Sequence, residues 1–566
     1  MDEEQGVGDI DYQALEFDYA PRSAPDTARH AVAVVGAGPV GLSMALDLAQ
    51  RGLKVVVIDD DYRLSTGSRA ICFAKRTLDV WDRLGVGERM VQKGISWNVG
   101  RVYFKGDEVW RFDLLPEQGH RRPAFINLQQ YYCEGFLYEQ AAGHPNIELR
   151  WKNKAVAVEQ RDDHVALTVE TPDGSYTLAA DWLVACDGAR SPLRKMIGQE
   201  SHGRVFRDRF LIADVRMQAD FPTERWFWFD PPFHPGQSVL LHSQPDNVWR
   251  IDFQLGWDAD PVEEVKPENV IPRIQALLGK DTRFELEWVS IYTFACERMD
   301  SFRHGRIVFA GDAAHRVSPF GARGANSGVQ DADNLGWKLA LVSQGLAPET
   351  LIDSYAAERE QAADENILNS SRSTDFITPK SEISLLFRNT VLKLAQHHDF
   401  ARKLVNSGRL SMPTSYTASS LNTPDTADFS GAPPLGGVAP DGPITIDGQL
   451  DWWLGQLSGR FVLALFCNTG IPDADALREL AGLQDDPLGL KLVLVLSPAL
   501  AQRAPDGYAC VVDRQMTLAR RYDAVQGACY LIRPDQHIAA RWREADAPSI
   551  RNALRRATCS PMEARP

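Results

Sequence analysis

The sequence predicts an α/β chain: a doubly wound parallel sheet, an inserted antiparallel sheet, a run of helices, and a small separate α/β domain at the C-terminal end. Three observations predict it. A glycine-punctuated pattern of strand, turn, helix and strand opens at residue 31, and a second buried strand with its own glycine turn returns near residue 306. A stretch rich in Ser, Thr, Pro and Gly at 411–445 separates both from the C-terminal region.

The first pattern reads HAVAVVGAGPVGLSMALDLAQRGLKVVVIDDD. The apolar run Ala31 to Val35 predicts a buried parallel strand, Leu42 to Gln50 a helix, and Lys54 to Ile58 a second strand. Gly36 permits the tight turn, Gly38 lets backbone approach a pyrophosphate, and Gly41 lets the helix pack closely on the strand; Pro39 and Val40 lie in the same turn. The helix N-terminus offers free N–H groups and the positive end of its dipole to phosphates. Asp59 ends the second strand 18 residues after Gly41, where a carboxylate accepts hydrogen bonds from ribose hydroxyls. These elements in register define a Rossmann-like dinucleotide-binding fold.

At 566 residues the chain is too long for one ordinary core, so two or three domains are expected. A formal charge of -15 disfavours a nucleic-acid surface, whose phosphates it would repel. The eight cysteines are scattered, with no CxxC pair and no metal-ligand spacing, which predicts reduced thiols and no metal site. Residues 1–30 read as a flexible acidic lead without a signal-peptide pattern. No run of about 18 apolar residues suggests a membrane span, and cytoplasm is the expected location.

Residues 31–204 form the first part of the nucleotide domain, in which 149–187 read as paired strands ending in the buried run WLVACDG. Residues 205–305 are rich in strands and aromatics, the pattern of an antiparallel sheet carrying a substrate pocket. Residues 306–410 return to the nucleotide domain with a strand at Arg306 to Ala310, a long helix from Ala325 to Ser343 and further helices broken near Pro379. Residues 411–445 read as a linker, and 446–566 as the small α/β domain.

Two further motifs accompany the glycine fingerprint: CDGARSPLR, with Asp187, Gly188, Ser191 and Arg194, and GDAAH, with Gly311, Asp312 and His315. In this order and spacing the chain resembles the single-component FAD-dependent aromatic hydroxylases, the group A flavin monooxygenases. It is most similar to their longer branch, which includes phenol 2-monooxygenase and 3-(3-hydroxyphenyl)propionate hydroxylase and carries a thioredoxin-like C-terminal domain. The resemblance implies that FAD is the cofactor, that Asp312 touches its ribityl chain, and that the Asp187–Gly188 loop serves both FAD and the pyridine nucleotide. It places Arg69 near the cofactor phosphates and Gln129 near the flavin; a surface arginine and a helix-capping glutamine are the plain alternatives. His315 is expected on structural duty.

Pro319 resembles the family proline beside the reacting edge of the flavin. The following FGARGAN turns into a helix whose free N–H groups suit the ring edge that becomes negative on reduction. Gly321 and Gly324 allow close approach, Ala325 lies in the first turn, and Asn326 is expected to cap the helix or reach the flavin carbonyls. Arg323 departs from the family, which commonly has Gln here. A fixed charge at that place suits anion stabilisation or an acidic substrate, and a solvent-facing salt bridge is the alternative.

On the antiparallel sheet, Trp226 and Trp228 share a strand face and predict an apolar pocket, with His242 and Arg250 as further pocket candidates. Core packing would equally explain the aromatics and His242. The spacing WFWFDP resembles a halogenase signature, but Asp230 replaces its isoleucine and the catalytic lysine segment is missing. The resemblance implies that NADH or NADPH reduces FAD, that O₂ forms a flavin C4a-hydroperoxide, and that a small phenolic ring attacks it. Pro319, Arg323 and His242 are the catalytic candidates. Rival readings are a flavin monooxygenase acting on a polyketide, antibiotic or N-heteroaromatic ring, and a non-catalytic FAD-binding protein. The expected partner is a small aromatic substrate, with no nucleic acid and no membrane, and a homodimer as the candidate assembly. Without CxxC the C-terminal domain cannot exchange dithiols, so a structural or dimer-contact role is expected.

Overall fold

A computed structural model describes residues 11–21, 26, 28–65, 70–219, 221–405, 411–544 and 546–561. Its first sheet runs, in spatial order, through Arg303–His304, Ile307–Phe309, Gly174–Ala185, Arg29–Val35, Val55–Ile58 and Ile147–Arg150. The last five of these pair in parallel. Strands buried on both faces must be apolar throughout, and Val55–Ile58 and Ile307–Phe309 are. Helix Pro39–Gln50 lies on this sheet and packs against the long helix Gly324–Ser343, so the first and third motifs meet although nearly 300 residues apart.

The second sheet runs His315–Arg316, Glu285–Met299, Ser201–Arg216, Val248–Leu255, Ser238–Ser243, Arg225–Phe229, Val99–Phe104 and Asp107–Asp113. It corrects two expectations. Its last two strands come from residues expected in the nucleotide fold. Arg225–Phe229 also pairs with Val99–Phe104 in parallel, so the sheet is not purely antiparallel. The alternating burial of Val99–Phe104 is that of a strand with one covered face, unlike the fully buried strands of the first sheet. A small antiparallel sheet of Cys72–Ala74, Phe125–Asn127 and Ile95–Trp97 stands between the two. Helices Thr350–Ile377 and Glu382–Ala395 are separated at Pro379, where a ring replaces the backbone donor.

The N-terminal lead is a further correction, since part of it is docked. Phe17 stacks on Trp151 with ring centroids 4.1 Å apart, and Tyr12 is buried against Gly135. Residues 411–442 form almost no regular structure, yet Tyr416, Leu421 and Phe429 are buried, so the stretch is a packed strap. The C-terminal domain is a seven-stranded mixed sheet centred on Lys491–Leu496 and Val462–Cys467. Burial pushes the thiols of Cys467 and Cys529 up to about 12, which keeps them in the unreactive protonated form. Among the described residues no helix is long and apolar enough to cross a membrane.

Candidate active site

Three backbone turns build the site. At the first, Gly36 adopts φ +106° and donates its N–H to the Ile58 carbonyl at 2.8 Å; a Cβ here would strike the Cys186 carbonyl. A Cβ on Gly41 would collide with the Gly36 carbonyl oxygen. Gly38 differs: its backbone is extended, and a Cβ would meet nothing within 4 Å. The chain's own packing therefore does not require glycine at 38, and the space is left for a ligand. Pro39 opens the helix with no side-chain cap, so its first N–H groups face that space. Asp59 accepts the Ala37 N–H at 2.6 Å and the Asp61 N–H at 2.8 Å, fixing the carboxylate at the strand end; burial raises its pKa.

At the second turn, Asp187 Oδ2 accepts the Leu193 N–H at 3.0 Å while Oδ1 is buried without a partner, and burial raises this carboxyl too. Gly188 has φ +75° and open space where a side chain would stand. Ser191 caps the helix Pro192–Met196. Arg194 donates to the Ala313 carbonyl at 2.7 Å, which couples the second turn to the third.

The third turn places Asp312 in the open while Gly311 and Ala313 to His315 are buried. His315 lies behind it, Nε2 at 2.8 Å from Asp331 and ring stacked on Phe302, the structural place expected of it. Pro319 is likewise exposed between buried neighbours. Gly321 has φ +113°, and the Arg323 guanidinium folds back over it to donate to the Phe320 carbonyl at 3.0 Å. Arg323 is only 3% exposed, so a solvent-facing salt bridge is ruled out. Gly324 and Ala325 open the long helix half-exposed.

Asn326 is a correction. Its Oδ1 accepts the Ala74 N–H and the Thr77 hydroxyl, and its Nδ2 donates to the Cys72 and Ala322 carbonyls. The amide is consumed in tying the small sheet to the helix and is not free to reach a flavin carbonyl. Gln129 does not cap its helix; Nε2 donates to the Pro245 carbonyl at 3.1 Å, and Oε1 is buried without a partner. Arg69 lies outside the described residues.

The residues present fit a dinucleotide that carries a flavin: open space at Gly38 and Gly188, buried unpaired oxygens on Asp187 and Gln129, and two helix N-termini.

Beside Gly321 opens a cavity walled by Phe112, Phe227, Phe229, Phe320 and Phe376, with Arg101 and Arg225 also lining it. Trp226 and Trp228 do not line it, which corrects the expectation from sequence. They point to the other face of the sheet, where Tyr103 and Phe221 pack against them. Both faces of that strand are aromatic, so alternation alone cannot tell which one faces the site. His242 and Arg250 are buried on the same sheet face as Phe227 and are not among the residues that line the cavity. Arg250 makes a bidentate pair with Asp214, both bonds 2.8 Å. Burial pushes His242 down to about 4, so its imidazole is neutral. Sequence reasoning missed Arg225, although its spacing at i, i+2 and i+4 with Phe227 and Phe229 carried the signal.

Fold and site together define a flavin-dependent oxidoreductase. The chain belongs to the family described as FAD binding domain, whose model matches residues 29–370. It is 34% identical over 342 residues to a probable NADH-specific resorcinol 4-hydroxylase of Rhodococcus jostii (strain RHA1); the match covers 59% of this chain and 64% of that protein. It is 27% identical over 525 residues to a 3-(3-hydroxy-phenyl)propionate/3-hydroxycinnamic acid hydroxylase of Shigella sonnei (strain Ss046), covering 90% of this chain and 91% of that one. Among solved structures, the flavin-dependent monooxygenase PieE in complex with FAD and substrate matches with TM-score 0.79 at 21% identity, covering 95% of this chain and all of that chain. Aklavinone-11 hydroxylase with FAD and aklavinone matches with TM-score 0.73 at 22% identity, over 94% of this chain and all of that one. The chain is therefore an FAD-binding protein of this family, and the relatives named here are aromatic hydroxylases.

Proposed function

We propose that the protein hydroxylates a phenolic ring, with NADH or NADPH as electron donor and O₂ as co-substrate. One observation carries this reading: the aromatic cavity opens at Gly321, between exposed Pro319 and the start of the helix Gly324–Ser343, so a ring in the cavity and a flavin bound at that helix would share one wall. When bound, FAD supplies the activation of dioxygen and the delivery of one oxygen atom. The chain supplies the setting. The first N–H groups of Gly324–Ser343 would stabilise negative charge developing on a flavin ring bound at this helix start. Asp312 and the Asp187–Gly188 loop would hold the cofactor, and Arg323 fixes the Phe320–Gly321 turn. Phe227, Phe229, Phe320 and Phe376 keep water away from the reacting atoms.

The two relatives named above act, by their names, on resorcinol and on a hydroxyphenylpropionate, both phenols. Eight unpaired cysteines support a cytoplasmic setting, and a homodimer is part of the same reading. The test is oxidation of NADH and of NADPH by the purified holoenzyme with resorcinol and 3-(3-hydroxyphenyl)propionate, with products weighed by mass spectrometry. A product one oxygen atom heavier than its substrate is expected. Production of hydrogen peroxide alone with every phenol would overturn the proposal.

A further inference from the structure

Two arginines line the aromatic cavity, and they are not equivalent. Arg101 is already neutralised: it meets Glu108 at 2.9 Å and Glu224 at 2.5 Å, and these partners raise its pKa. Arg225 has no such company. It is 7% exposed, its Nε and Nη1 are buried without a hydrogen-bond partner, and among the described residues no carboxylate forms an ion pair with it. Neither acid nearby pairs with it: Asp214 is held by Arg250 in two 2.8 Å bonds, and Asp252 lies 3.5 Å from His242 with its Oδ1 buried and without a hydrogen-bond partner. His242 is neutral and offers no charge.

A buried guanidinium with unpaired N–H groups is costly, and removing it from water is compensated only by an anion with matching geometry. Its planar fork suits a carboxylate or a phenolate oxygen, and its neighbours along the strand face, Phe227 and Phe229, suit an aromatic ring.

We propose that Arg225 is the counter-ion for a negatively charged oxygen carried by the aromatic substrate, so that the cavity selects ionised arenes over neutral ones. This rests on the cavity being the substrate site. The anion is either a carboxylate substituent or the phenolate itself, and the two are separable by experiment.

The measurement is ligand affinity for the holoenzyme, read from perturbation of the flavin absorption band, with matched pairs. For the carboxylate arm the pair is 3-hydroxybenzoate and 3-hydroxybenzamide; for the phenolate arm it is 4-nitrophenol and phenol, each followed across pH. The wild-type protein is expected to prefer the charged member of at least one pair by about tenfold or more, and the responding pair names the anion. Arg225→Met is expected to weaken that member by about 100-fold while leaving its neutral partner within a few-fold, and Arg225→Lys to recover part of the loss.

Equal affinity for charged and neutral members in the wild type overturns the inference without any variant being needed. So does loss of bound flavin in Arg225→Met with ligand preference unchanged, because the guanidinium would then serve the cofactor. Hydroxylation is scored separately by product mass: charge preference without product leaves the inference standing and the proposed reaction failing, and product without charge preference does the reverse.

Discussion

His315 and Asp331 meet at 2.8 Å, Nε2 to Oδ2, with both side chains closed off from solvent. The same oxygen accepts the Gly311 N–H at 2.8 Å, and the other accepts Arg359 Nε at 2.5 Å. Arg359 in turn donates to the Tyr416 hydroxyl at 2.7 Å. One carboxylate therefore fastens the turn that presents Asp312 to the long helix, and through Arg359 to the strap beyond residue 411. Burial pushes Asp331 up, but Arg359 and His315 outweigh it and hold the carboxyl below its usual range.

Asp331→Asn keeps the shape and removes the charge, leaving Arg359 buried without its anion. Breaking a buried pair from one side costs about 3–5 kcal/mol. The variant is expected to unfold at a clearly lower temperature and to lose FAD on gel filtration, read as the ratio of flavin to protein absorbance. A variant with wild-type melting and full flavin content would show that the turn does not depend on this carboxylate.

Gly38 and Gly41 separate ligand constraint from folding constraint. Alanine at 38 enters open space in an ordinary backbone conformation, so apoprotein stability is expected to change by no more than about 0.5 kcal/mol while FAD affinity falls at least about tenfold. Alanine at 41 meets the Gly36 carbonyl and is expected to cost about 1–3 kcal/mol of stability, through overpacking, before any ligand is added. Apoprotein melting curves and FAD titration of both variants check the contrast.

The motifs are legible because their chemistry is local. A strand, a glycine turn and a helix start lie within a dozen residues, and the helix expected at Ala325 to Ser343 is observed at Gly324–Ser343. What lies hidden depends on partners distant in the chain. Asn326 reads as a cap until Cys72, Ala74 and Thr77 are seen to occupy its amide. Val99–Phe104 reads as part of the nucleotide fold until Arg225–Phe229 pairs with it. Trp226 and Trp228 read as pocket residues because no polar residue marks either side of that strand after Arg225.

The C-terminal domain reaches the same helices through charge. Arg533 binds Glu358 at 2.6 and 2.9 Å and Asp535 at 2.5 Å, and Lys338 meets Glu358 at 2.8 Å, all of them buried. Burial and the charge of Arg533 push Lys338 down to about 8 although Glu358 opposes them. Arg533→Met leaves Glu358 with Lys338 and Asp535 without its guanidinium, and is expected to destabilise the protein by about 3–5 kcal/mol. Denaturant unfolding monitored by flavin release and by tryptophan emission checks it, and coincident transitions are expected if the domain and the flavin site unfold together.

His242 gives the pH dependence a sign. Burial first, then the charges of Arg225 and Arg250, push it down from 6.5 to about 4, with Asp252 opposing. Between those values the unfolded chain binds a proton that the folded chain refuses, so stability falls as pH drops from about 6.5 to about 4, and this group contributes no further loss below that. The loss attributable to His242 is on the order of 3 kcal/mol. His120, also pushed down to about 4 by burial and by Arg521, adds a loss of the same sign, so the informative quantity is a difference. Wild type and His242→Leu are to be unfolded by urea at pH 7 and at pH 4.5, and the variant is expected to lose less stability between them. Equal losses in the two proteins would mean that the imidazole already takes up its proton in the folded state, and that Asp252 outweighs burial and the two arginines.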